Sequence, residues 1–387
     1  MRSQAVFDVV KCAVWGSEPC KVDAQLYEEM RCHTIAALPA GVLSHLIMPY
    51  ELFLKWQTYV YQQISFNLNY QYEQANLPLA VPYVILKGSA AAKYYPRPEL
   101  RAMGDIDIMT HREDYEKACE ELLSAGFQEL SDDKNPRHRI FKKDSILVEV
   151  HYYFASLNVP EQAQYMDNLI IDNINQSHYL PDLENGLVLL EHISQHLEGG
   201  LGLRQIIDWM MFVDKCLPDE KWHEFEALSV RVGLEKLAVI ATRMCEIYLG
   251  LPERNWTLGA DEKLCEQLME YILDSGNFGN KQTSDEDIGK NVFAYGMTPK
   301  AAFTLLRERG LINWHVAQNH RFLRPFAWVY QGFRYLKRGL SQEKALQKLK
   351  EEYRAAKKKN ALLDALNVKT RSKGIVRYRN GKYIKES

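Results

Sequence analysis

Between Ala80 and His151 the apolar residues leave helical spacing and fall into short, β-branched runs, while helical spacing governs the chain on both sides. Such a change of period in mid-chain predicts a small mixed α/β domain set between helical segments. Within the window, Ala80-Val81-Pro82-Tyr83-Val84-Ile85-Leu86 stops at Lys87-Gly88-Ser89 and reads as a buried strand entering a turn. Ala90 to Tyr95 favours a helix, ended by Pro96 and Pro98, and Asp105 to Met109 reads as a second strand after Gly104. Tyr115, Ala118, Cys119, Leu122 and Leu123 recur at i, i+3, i+4, i+7 and i+8 with Gly126 behind them, which predicts an amphipathic helix over 112–125. Residues 137–142 and 145–151 then read as a hairpin around Lys143-Asp144.

The class expected is therefore α+β, with a mixed-sheet domain over 79–158. A helical lead-in occupies 1–78, an all-helical domain 159–340, and a basic, partly helical tail 341–387. Residues 276–291 are too polar to pack and read as an exposed loop. No run of about 18 apolar residues exists and the start carries no secretory pattern, so a soluble, cytoplasmic protein without membrane partners is expected. Seven cysteines at scattered spacings, with no Cys-x-x-Cys, exclude a disulfide framework and a zinc finger. From Arg334 onward 17 Lys or Arg face 5 Asp or Glu, so the end is basic and the body acidic. A solvated tail is the plain reading, and a phosphate-rich partner such as RNA the other.

Residues two apart on a strand share a face, so Asp105 and Asp107 project together while Ile106 and Ile108 enter the core. Paired carboxylates repel unless a cation lies between them, and Mg²⁺ takes one or two carboxylates plus substrate phosphates. Glu149 shares a face with Leu147 and His151, opposite Ile146, Val148 and Val150. If its strand lies beside that of Asp107, three carboxylates converge as a two-metal site requires. Lys87 and Arg101 flank the acids and suit triphosphate charge, with a surface cation or an ion pair as the alternative. His151 reads as an accessory to Glu149 or as a structural imidazole. His192 and His196 stand i, i+4 without a zinc-hydrolase signature, which favours helix packing, and Arg204 with Asp208 at the same spacing fits a helix-to-helix ion pair more readily than catalysis. No Walker A or Gly-x-Gly-x-x-Gly pattern is present, so P-loop and Rossmann readings lose support.

A strand ending in Gly-Ser, a short helix, an Asp-x-Asp strand and a later acidic strand resemble the nucleotidyltransferase superfamily that includes DNA polymerase beta and the aminoglycoside nucleotidyltransferases. More closely, Val84 to Gly88, Tyr94-Tyr95-Pro96, Arg101 to Ile108 and Val148 to His151 resemble a poorly characterised bacterial nucleotidyltransferase family with a helical C-terminal half. His192 to His196, Leu203 to Trp209 and Gly276 to Gly279 support the likeness, which spans about residues 80 to 280. The resemblance implies Gly88 and Ser89 on the nucleotide phosphates and Asp105 and Asp107 as Mg²⁺ ligands. Glu149 would complete the two-metal site or take the proton of the acceptor hydroxyl. The activity implied is transfer of a nucleoside monophosphate from an NTP, ATP included, to an acceptor hydroxyl with release of pyrophosphate. The alternatives are a catalytically weak nucleotide-binding or interaction module, and an RNA-directed enzyme using the basic tail.

Overall fold

The computed structural model describes residues 2–130, 138–277, 299–314, 316–317, 320–340, 345–368, 375–379 and 381–386. Two compact units emerge, one of 1–282 with 376–384 and one of 283–375 with 385–387. The first begins with helices α1 (Arg2–Trp15), α2 (Ala24–Cys32) and α3 (Tyr50–Ala75). Asp23 caps α2 by accepting the Leu26 backbone N–H at 2.7 Å. The sheet follows as β1 (Tyr83–Ile85), α4 (Ser89–Ala92), β2 (Ile106–Thr110), α5 (Tyr115–Ser124), β3 (Gln128–Glu129), β4 (His138–Lys143) and β5 (Ile146–His151).

Its strand order is β1-β2-β5-β4-β3, with β2 and β5 parallel and the other pairs antiparallel. This is the mixed sheet of the expected α+β class. Strand β1 is shorter than the 80–86 run because Pro82 has no N–H to continue the ladder. The Ile85 N–H donates instead to the His178 carbonyl at 2.8 Å, so the segment ahead of the next helices touches the free edge. The helix expected over 90–95 is a single turn, and the two-residue edge strand β3 has no hydrophobic alternation to announce it.

One sheet face carries the apolar core at its centre, with Glu129, Arg139 and Lys143 on the same face at the β3–β4 edge. Ile106 and Ile108 of β2, Val148 and Val150 of β5 and Phe141 of β4 pack on Ala118, Cys119 and Leu122 of α5, all buried. Each large side chain removed from water here is worth about 1.5–3 kcal/mol, which fixes the register because a one-residue slip would turn the set to the other face. That register sets Asp107 beside Glu149 on the opposite face.

Helices α6 (Pro160–Ile171), α7 (Asp182–Leu197), α8 (Leu203–Cys216), α9 (Asp219–Val232), α10 (Glu235–Leu249) and α11 (Glu262–Ser275) complete this unit. Helices α7 and α8 pack on each other and on α4. Gly186 of α7 meets the Phe212 ring so closely that an added Cβ would lie 2.1 Å from it. The strand pair β6 (Ile375–Arg379) and β7 (Lys382–Glu386), unexpected in the tail, brings Tyr383 to Asp167 of α6 and stacks Tyr378 on Tyr153 at 4.4 Å.

In the second unit the described elements are α12 (Pro299–Asn313), a 3₁₀ turn (Arg321–Phe326), α13 (Ala327–Leu340) and α14 (Ala345–Ala365). The polar stretch expected to form a loop lies, from Phe278 to Asn291, outside the described residues, as do Phe278 and Gly279 of the supporting motif. No described helix is long and apolar enough to cross a membrane. All seven cysteines are free thiols.

Candidate active site

The polar face of β2 and β5 opens on a cavity of about 220 Å³ whose lining includes Lys87, Gly88, Asp105, Asp107, Glu149 and His151. One carboxylate oxygen from each of Asp105, Asp107 and Glu149 lies within 4.8 Å of the others. Strand alternation supplies two of the three and lateral pairing the third, since Asp107 and Glu149 are ladder partners. Asp107 is almost fully buried, and its Oδ1 accepts the Lys87 ammonium at 2.7 Å and approaches His151 Nε2 at 3.2 Å.

The turn that delivers Lys87 depends on glycine. Gly88 has φ +59°, and a Cβ there would sit 2.6 Å from the Tyr70 hydroxyl. That hydroxyl donates to the Asp105 carbonyl at 2.7 Å and so ties the Gly88 turn and the start of β2 to α3. One turn earlier on α3, Asn67 Nδ2 donates to the carbonyls of Glu99 and Arg101 at 2.8 and 2.9 Å, while its Oδ1 accepts the Met103 N–H at 3.1 Å. Asn67, Tyr70 and Gln74 are buried polar residues on one stripe of α3. The sequence reading passes over them, although polar residues at i, i+3 and i+7 on a stripe that is otherwise core are a visible signal.

The structure separates the remaining candidates. Ser89 is buried and its hydroxyl donates to Gln74 Oε1 at 2.8 Å, with Tyr179 OH at 3.2 Å, so it is turned from the cavity. Arg101 lines the cavity, yet its Nε and Nη2 are spent on Asp208 at 3.0 and 2.6 Å and its Nη1 on the Ala102 carbonyl at 3.1 Å. The ion pair expected between Arg204 and Asp208 does not form, because Asp208 is held by Arg101 and by the Tyr95 hydroxyl at 2.8 Å. Arg204 faces the cavity instead, with Nη1 on the Ala102 carbonyl at 3.2 Å and Nε without a partner among the described residues. Its neighbours from the helices are His192, Gln195 and His196, the two imidazoles meeting edge to face at 4.5 Å.

Charge follows position. Burial works against the Lys87 ammonium, but Asp107, Asp105 and Glu149 overcome it and raise its pKa. Burial likewise opposes the charge on Glu149, and the hydrogen bond from His151 reverses it, leaving this carboxyl below its ordinary value. His151 is raised despite its burial, by Asp107 and Glu149. On the helical side burial dominates: His192 is pushed well below its usual pKa, His196 to about 4, and Arg204 down to about 10.

Carboxylates gathered on one strand face, with cationic groups around them and a cavity in front, form a cluster that could hold a metal ion. The particular family follows from the sequence model of the uncharacterised nucleotidyltransferases, which matches residues 24–250, and the chain belongs to that family. It is a nucleotidyltransferase, and an NTP is the substrate this implies. Among curated proteins and among solved structures, none matches the chain.

Proposed function

We propose that the protein transfers a nucleoside monophosphate from an NTP to an acceptor hydroxyl in a Mg²⁺-dependent reaction that releases pyrophosphate. The observation that carries this reading is the convergence of Asp105, Asp107 and Glu149 at one end of the cavity. The donor set suits Mg²⁺, being all oxygen and anionic, and Asp107 already draws the Lys87 ammonium to 2.7 Å. Asp105, Asp107 and Glu149 would hold the ion, which supplies charge neutralisation at the triphosphate.

The chain's own groups then divide the work. Lys87, held charged by the acids, attracts the phosphates from the sheet side, and Arg204 does so from the helical side with guanidinium N–H groups still to be used. Gly88, on the cavity lining, permits the turn that brings Lys87 to the acids because a Cβ there would strike the Tyr70 hydroxyl, while the Ser89 hydroxyl, turned to Gln74, takes no part in phosphate contact. Arg101 acts as a strut that joins the loop before β2 to α8 rather than as a phosphate ligand. Glu149, ionised and lining the cavity, serves in this reading as the third carboxylate of the metal site. Catalysis in this reading is positioning and charge neutralisation.

Pyrophosphate release from each of the four NTPs, followed with Mg²⁺ and a panel of hydroxyl acceptors, tests it. Asp107→Asn should lower the rate by more than about 10²-fold while leaving the fold intact. A variant that retains the wild-type rate removes the carboxylates from the mechanism.

A further inference from the structure

A second set of ligand atoms shares Glu149. His138 of β4 is the ladder partner of His151 of β5, so both imidazoles leave the sheet on the face that carries Glu149. Their ring centroids are 4.8 Å apart. His138 Nε2 stands 3.7 Å from Glu149 Oε1 and His151 Nε2 stands 3.5 Å from Glu149 Oε2, and one ligand atom from each of the three residues falls within 4.8 Å of the others. A dication bound at about 2.0–2.2 Å places neighbouring ligands roughly 3–4 Å apart, so a small contraction completes the set.

Two nitrogens and one oxygen are chemically unlike the all-oxygen set beside them. Imidazole suits the first-row transition metals and is a poor ligand for Mg²⁺. His151 is 5% exposed and lines the cavity. This ring is oriented through Nε2, toward Asp107 and Glu149.

We propose that His138, His151 and Glu149 hold a first-row transition-metal dication such as Zn²⁺ or Mn²⁺ next to the Mg²⁺ position, with Glu149 shared between the two ions. Three protein ligands leave coordination positions open, the pattern of a working site rather than a closed structural one. The site rests on the nucleotidyl-transfer reading only through Glu149, and it is measurable without nucleotide.

The test uses the full chain, stripped with chelator and kept in excess Mg²⁺. Zn²⁺ is titrated in competition with a chromophoric chelator, and Co²⁺ is titrated while visible absorption is recorded. The expected result is one Zn²⁺ per chain that Mg²⁺ does not displace, with the intense Co²⁺ bands of a nitrogen-containing site of fewer than six ligands. His138→Ala and His138→Gln, each checked by circular dichroism and thermal melting, should weaken Zn²⁺ at least about tenfold and dim the Co²⁺ bands. Asp105→Asn should lose Mg²⁺-dependent binding of an NTP analogue while keeping Zn²⁺ within a few-fold of wild type. Equal Zn²⁺ affinity in wild type and both His138 variants overturns the proposal, as does an Asp105→Asn variant that loses Zn²⁺ as fully as they do. Stoichiometric, His138-dependent Zn²⁺ without Mg²⁺-dependent NTP binding in any form would instead sustain this site and overturn the proposed function.

Discussion

The cavity has two walls made on opposite electrostatic plans. On the sheet wall Asp107, Glu149, Lys87 and His151 lie against one another, and each of the two basic groups is raised in pKa by acids that outweigh its burial. On the helical wall burial outweighs every nearby acid and lowers Arg204, His192 and His196 alike. On the sheet wall three carboxylates, Asp105, Asp107 and Glu149, meet two basic groups, Lys87 and His151. The helical wall gains most from an anion, because a guanidinium that has lost water and found one carbonyl still has donors to satisfy. The proposed function sets a metal-bound triphosphate between these two walls.

The contrast between the two arginines is the sharpest way to break this picture. Arg101 and Asp208 keep only 4% and 2% of their side-chain exposure, so Arg101→Ala strands a carboxylate and should cost about 3–5 kcal/mol of stability in a denaturant melt. Arg204→Ala should leave stability in the same melt within about 1 kcal/mol of wild type and lower kcat/KM for the NTP by roughly 10²-fold, since a charged hydrogen bond to phosphate is lost. A reversal, with Arg204→Ala unfolding the protein and Arg101→Ala impairing only turnover, would exchange the roles of the two residues.

The smallest effect is in pH. His196 is neutral in the fold with a pKa of about 4 against the ordinary 6.5, so between those values the unfolded chain binds more protons than the folded one. Its contribution is full above pH 6.5 and falls as the pH drops toward 4. Burial leads the downward shift, Lys87 and Arg204 add to it, and Asp107 opposes it, so the shift belongs to the cationic side of the cavity. Stability measured from pH 7 to 5 should therefore fall less steeply in His196→Gln than in wild type, by up to about 1.4 kcal/mol per pH unit. Identical slopes would place His196 in water rather than in the cavity wall.

Much of the fold is legible in periodicity. The order of elements from Tyr83 to His151 follows from β-branched runs alternating with one amphipathic stripe, and the convergence of Asp105, Asp107 and Glu149 follows from strand alternation once β2 and β5 lie side by side. What escapes depends on contacts distant in sequence. The i, i+4 spacing of Arg204 and Asp208 predicts a pair, yet Asp208 is claimed by Arg101, 107 positions away in the chain, because the guanidinium reaches it with two donors. The Gly-Ser turn gives no hint that Gln74, on a helix read only as lead-in, takes the Ser89 hydroxyl. His138 carries no signal of its own, and only pairing across the hairpin brings it to His151.

The most direct test of the metal-nucleotide site is calorimetric binding of non-hydrolysable NTP analogues, with and without Mg²⁺, to wild type and to the Asp105→Asn/Asp107→Asn double variant. Binding that requires Mg²⁺ and vanishes in the folded double variant is the result predicted. Binding of equal strength in the variant, or with Mg²⁺ withheld, would contradict the assignment of these carboxylates.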